Sequence, residues 1–126
     1  MSGRRKGADG EREALAALRE AFVPWAGLAP APVRVHYVKR SRGAAVDVDA
    51  VVVVPRAGAD AIEVQIKREE APPLLAYLRA FVGPGRVLMH RRNRGTWTVW
   101  VRGIGDDPAR SLDVATFARW ALRGLV

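Results

Sequence analysis

The segment "AIEVQIKREE", residues 61–70, carries three side chains whose types and spacing could do chemistry together. Ile62, Val64 and Ile66 alternate with Glu63, Gln65 and Lys67. A β-strand sends successive side chains to opposite faces. One face of this segment is then an apolar row, and the other sets a carboxylate, an amide and an ammonium in line. Carboxylate and carbonyl oxygens suit Mg²⁺, which keeps several of its waters. A metal held this way activates water and stabilises charge on a phosphate, while a nearby ammonium stabilises charge or positions that water. The polar row reads as half of a metal-dependent phosphodiesterase site.

Two further places hold acids where a core-facing side chain is expected. In "VDVDAVVVV", Asp47 and Asp49 share a face with Val51 and Val53. Aspartate is depleted in strands, so two at one strand's start ask for a reason. A solvated strand end explains Asp47 better than Asp49, which runs directly into four valines. In the first helix, Leu15, Leu18 and Phe22 define the buried stripe, and Glu11 lies four residues before Leu15 on the same stripe. A carboxylate on a core-facing stripe is costly unless it is paired, although one in a helix's first turn also favours the dipole. Glu13 and Glu20 share another face and can sit in water.

These residues need elements to position them. The chain has 126 residues, enough for one domain with a real core. Residues 1–8 read as a flexible basic arm. Asp9 is placed to cap a helix over about Gly10–Phe22. "VPWAGLAPAP" is a connecting loop. "VRVHYVKR", "VDVDAVVVV" and "AIEVQIK" read as three strands, the last two joined by the short "PRAGAD". "APP" starts a second helix with an apolar stripe of Leu74, Leu78, Phe81 and Val82. "RVLMHRR" and "TWTVWVRG" flank "NRG" as a hairpin, and "IGDDPARS" reads as a loop. Val114, Phe117, Ala118, Ala121 and Leu122 mark a last helix. The order α-β-β-β-α-β-β-α predicts a mixed α/β sheet with helices packed on it. An antiparallel pairing of the second and third strands would bring Asp49 near Gln65 and Lys67.

The spacing D49…Q65-x-K67 resembles that of the PD-(D/E)xK nuclease superfamily. The surrounding text extends the likeness. "RRKGADGERE" resembles the K-G-x-x-x-E-R-E opening of archaeal-type Holliday junction resolvases and their phage relatives, with Glu11 as the helix glutamate. "KRSRGAAVDVDAVVV" resembles that family's R-x-x-G stretch before its strand aspartate. "IKREEAPPLLAYLRAFVGPGRVLMHRRNRGTWTVWVRG" resembles the phage-like branch, where a basic run, a helix and a Trp-containing strand follow. The likeness covers about residues 4–103 and leaves the last helix outside. The usual E-x-K is here E-V-Q-I-K, so two registers are open. Gln65 with Lys67 keeps the lysine and replaces the acid by an amide, as in Mrr-like members. Glu63 with Gln65 keeps the acid and loses the lysine. The first register aligns "KREE" with the family's basic run and is preferred. Asp47 and Asp49 are alternatives for the strand aspartate, with Asp49 favoured.

The resemblance implies a restriction-endonuclease-like fold and a single nuclease domain over residues 9–126. It implies paired cleavage of four-way DNA junctions by a homodimer, with Mg²⁺ as cofactor and Mn²⁺ able to substitute. Glu11, Asp49, Gln65 and Glu63 would hold the metal, and Lys67 would assist the attacking water. A Mrr-like or general nuclease on the same fold, and a nucleic-acid-binding protein that has lost catalysis, are the alternatives.

Charge agrees with an anionic partner. Lys plus Arg number 21 against 13 acidic residues, a net +8 with pI near 11.2, which favours nucleic acid. Candidate DNA contacts are Arg4, Arg5, Lys6, Arg12, Lys39, Arg40, Ser41, Arg42 and Arg68, with Arg91, Arg92 and Arg94 on the hairpin. His36 and His90 lack a second histidine at ligand spacing and read as structural. Tryptophans at 97 and 100 fall on opposite faces of one strand and suggest cover on both sides. No cysteine is present, which excludes disulfides and thiolate metal sites and fits a reducing, cytoplasmic setting. No apolar run approaches the roughly 20 residues of a membrane span. No small-molecule cofactor or membrane partner is expected.

Overall fold

A computed structural model describes residues 3–25, 34–37, 50–54, 60–92, 95–102 and 108–122. Helix α1 (Gly3–Phe22) leads through a 3-10 turn (Val23–Trp25) to strands β1 (Arg34–Tyr37), β2 (Ala50–Val54) and β3 (Asp60–Arg68). Helix α2 (Leu74–Phe81) precedes β4 (Arg86–Arg91), β5 (Thr98–Val101), β6 (Arg110–Asp113) and helix α3 (Val114–Ala121). The strands form one six-stranded sheet in chain order, with β3 and β4 parallel and every other neighbouring pair antiparallel. Parallel neighbours need a crossover connection, and α2 lies in it. The architecture is α/β with a mixed sheet.

Binary patterning explains where the core lies. Ala14, Leu15, Leu18 and Phe22 recur at helical spacing and are buried on α1. They meet Val52, Ile62, Val64, Ile66, Val87, Met89 and Val99 on one face of the sheet. Phe117, Ala118, Ala121 and Leu122 of the α3 region close the same layer. Phe117 sits edge-on to Phe22, centroids 6.4 Å apart, and stacks on Trp120 at 5.8 Å. Arg19 Nη2 donates to the Val35 carbonyl at 3.2 Å and ties α1 to β1.

The structure departs from the sequence expectations in three places. First, α1 begins at Gly3, so residues 3–8 are its opening turns rather than an arm, and Asp9 lies within the helix rather than capping it. The Arg and Lys residues there are good helix formers, and Gly7 and Gly10 only lower the propensity. Gly10 has a packing reason, since a Cβ there would stand 3.2 Å from Arg68 Cβ. Second, Arg110 and Ser111, read as the end of a loop, open the edge strand β6, with Leu112 opposite Val99. An edge strand covered on one face needs few apolar residues, and "RSLD" has only Leu112, so alternation could not announce it. Third, the apolar stripe of α2 is only half-buried: no residue of that helix is fully buried, and Leu75 is 64% exposed. No helix among the described residues is long and apolar enough to cross a membrane.

Candidate functional site

Strand β3 is interior to the sheet, between antiparallel β2 and parallel β4. Its apolar row turns to α1 and the core, and its polar row turns to the face that α2 flanks. Gln65 lies at the middle of that row, opposite Leu88 on β4. Its side chain is almost wholly enclosed, with the residue 3% exposed. Among the described residues, neither its amide oxygen nor its amide nitrogen has a hydrogen-bond partner. A buried amide left unsatisfied costs about 1–3 kcal/mol. Glu63 and Lys67, two residues to either side, are half-buried.

The Lys67 ammonium rests against α2. Its Nζ is 5.3 Å from the centroid of the Tyr77 ring and 5.6 Å from that of Phe81. The two rings are themselves 5.6 Å apart and tilted by 47°. They are four residues apart in sequence, which puts them on one face of α2. The Tyr77 hydroxyl donates to Glu69 Oε1 at 2.7 Å. That bond to a carboxylate, followed by burial, pushes the Tyr77 phenol up to about 12. Glu69 is pinned through its backbone as well. Its N–H donates to the Arg91 carbonyl at 3.1 Å, and His90 Nε2 lies 2.9 Å from its carbonyl. A carbonyl only accepts, so this contact sets His90 Nε2 as the protonated nitrogen. The structural role expected for His90 is the one it fills.

A second cluster closes the same end of β3 on the α1 face. Glu13 accepts from Arg68 Nη1 at 3.3 Å and from Arg91 Nη1 at 2.7 Å. Arg68 and Arg91 are cross-strand partners on β3 and β4. The Arg91 guanidinium also lies 5.7 Å from the Trp97 ring. Glu13 was expected in water. Instead it joins α1 to two strands, because the close approach of α1 at Gly10 brings Arg68 within reach. Arg68 and Arg91 are accordingly occupied by a carboxylate, whereas Arg12 and Arg92 are exposed.

The remaining candidates are placed as follows. Glu11 is half-buried on α1, the helix against the apolar row, whereas Gln65 and Lys67 lie on the opposite face of β3. Arg4, Arg5 and Lys6 lie in the opening turns of α1. His36 lies on β1, opposite Val51. Asp47, Asp49, Lys39, Arg40, Ser41, Arg42 and Arg94 are outside the described residues. Among the described residues no three His, Cys, Asp or Glu side chains are grouped to hold a metal ion. Trp97, just before β5, is buried in the core layer, and Trp100 on β5 is half-buried on the other face. Sequence reasoning missed Tyr77 and Glu69. The signal for Tyr77 was its four-residue spacing from Phe81, after a lysine on the preceding strand. No protein-family model, curated protein or solved structure matches the chain.

Proposed function

We propose that the chain is a divalent-metal-dependent DNA endonuclease of the restriction-endonuclease-like fold, acting as a homodimer on four-way junctions. The observation that carries this reading is Gln65. An amide enclosed on an interior strand, with both polar atoms unpaired among the described residues and a lysine two residues on, is open to a ligand. The donor set fits a hard cation in kind. The Gln65 oxygen is a neutral donor, and Glu63 adds a carboxylate on the same face. Asp49 completes the proposed set. It directly precedes Ala50, and Ala50 is paired with Val64, the residue before Gln65. Glu11, which the resemblance adds, is on the helix against the other face of β3, so it stands apart from this set and is tested by its own variant, Glu11→Gln.

A bound Mg²⁺ would supply Lewis acidity toward a phosphate and a water of lowered pKa. Lys67 contributes an ammonium that stabilises developing charge at the phosphate. A four-way junction is two-fold symmetric, so paired nicks suit two active sites related by a two-fold axis. The net charge of +8 supports attraction to the phosphate backbone. Because Arg68 and Arg91 are engaged by Glu13, the exposed Arg92 is the first candidate for a phosphate contact among the described residues.

The test is cleavage of an end-labelled four-way junction beside a duplex of the same sequence, with Mg²⁺, Mn²⁺ and EDTA, and with Lys67→Ala as control. Paired nicks on the junction alone, lost with EDTA and in the variant, are the expected result. Equal cutting of the duplex would move the assignment to a general nuclease. The neutral Gln65 in an acidic ligand's place favours one other reading, a binding protein without catalysis. A tight junction complex with no cutting in either metal would establish it.

A further inference from the structure

We infer that Tyr77 and Phe81 form an aromatic seat that fixes the Lys67 ammonium, which makes Tyr77 a positioning residue for Lys67; its consequence for cleavage rests on the function proposed above. A lysine side chain has many rotamers, and an ammonium that must meet one phosphate oxygen benefits from having them restricted. The geometry does this by two rings at once. The distances from Nζ to the two centroids, 5.3 and 5.6 Å, match the 5.6 Å between the centroids. The ammonium therefore sits over the pair rather than over either ring alone. Ring faces attract a cation electrostatically, and more so where water is partly excluded.

The seat is itself held. The Tyr77 hydroxyl is tied to Glu69, and Glu69 is two residues after Lys67 on the same chain. The backbone of Glu69 is bonded on both sides, to Arg91 and His90 of β4. Lys67, the rings, the phenol and Glu69 thus close a loop that fixes α2 against the end of β3. Core burial does not hold α2 there, because none of its residues is fully buried. A ring pair placed only for packing would meet aliphatic side chains. This one meets the ammonium of Lys67.

The experiment uses the chain's three lysines, Lys6, Lys39 and Lys67. In full-length protein labelled with ¹³C-lysine, the Cε methylene signals are few, and Lys67→Arg removes the one from Lys67. Ring currents from the two faces shift that signal upfield in the native protein. Tyr77→Phe keeps the shift, because the ring remains. Tyr77→Leu moves the signal toward the free-lysine position, and Phe81→Leu moves it partway. In single-turnover cleavage at saturating junction, Tyr77→Leu lowers the rate by about tenfold or more with junction affinity unchanged, and Tyr77→Phe restores most of it. A Lys67 signal that stays put in a folded Tyr77→Leu or Phe81→Leu protein overturns the seat. A signal that moves while the rate holds overturns the positioning role. If the native protein cuts nothing, the nuclease assignment fails, and the methylene signal still decides the seat by itself.

Discussion

The carboxylate of Glu13 and the guanidinium of Arg91 stand 2.7 Å apart across 78 positions of sequence. With Arg68 on its other oxygen, Glu13 is the ionic clasp between the start of the chain and the parallel strand pair. The arginines are 21% exposed at the side chain and Glu13 is 40% exposed, so the clasp is partly screened. Glu13→Gln removes the carboxylate that the two cross-strand arginines share. The expected cost is about 1 kcal/mol in urea unfolding at low salt, shrinking at high salt as screening weakens both attraction and repulsion. An unchanged midpoint at low salt would remove the clasp from the account of stability.

Gln65 presents the opposite case, a polar group whose removal should help the fold. Gln65→Leu replaces an unpaired buried amide with an apolar side chain of similar reach. It is expected to stabilise the metal-free protein by about 1–3 kcal/mol. Mg²⁺ should raise the melting temperature of the native protein and leave that of the variant unmoved, since a ligand stabilises the state that binds it. An equal shift in both proteins would mean that the ion binds elsewhere.

Tyr77 makes stability depend on alkaline pH. Its phenol is raised from 10.0 to about 12 in the folded state, chiefly by its bond to Glu69. The folded chain therefore holds that proton more tightly than the unfolded chain. This stabilisation is complete below pH 10 and is lost as pH rises from there through about 12. In chemical unfolding across that window, the native protein should lose stability faster than Tyr77→Phe. Parallel curves would show that the phenol–carboxylate bond contributes nothing.

At the far end of the core, Phe117 is fully buried between Phe22 and Trp120. Phe117→Ala opens a cavity where α1 and α3 meet, and the expected loss is about 3–5 kcal/mol. The cap of α3 is a gentler lever. Asp113 accepts from the Thr116 N–H at 2.6 Å, and that bond holds its carboxyl below the usual range. Its stabilisation is present at neutral pH and fades as acid carries the carboxyl through that lowered value. Asp113→Ala should accordingly matter at neutral pH and not in strong acid, as read by thermal melts at the two conditions.

The residues themselves determined the alternation of β3, the buried stripe of α1 and the burial of Phe117, Ala118 and Ala121. Each depends on a short apolar period that any chain of this pattern must bury. The polar row of Glu63, Gln65 and Lys67 was legible for the same reason. Tertiary structure decided the rest, because those outcomes depend on what arrives from far along the chain. Edge strand β6 exists because β5 offers it a row of backbone partners, although "RSLD" has almost no pattern of its own. Glu13 gained two partners because Arg68 and Arg91 converge on it from two strands. Lys67 gained its aromatic seat because the crossover brings α2 back over β3, a juxtaposition that spacing within either element cannot encode.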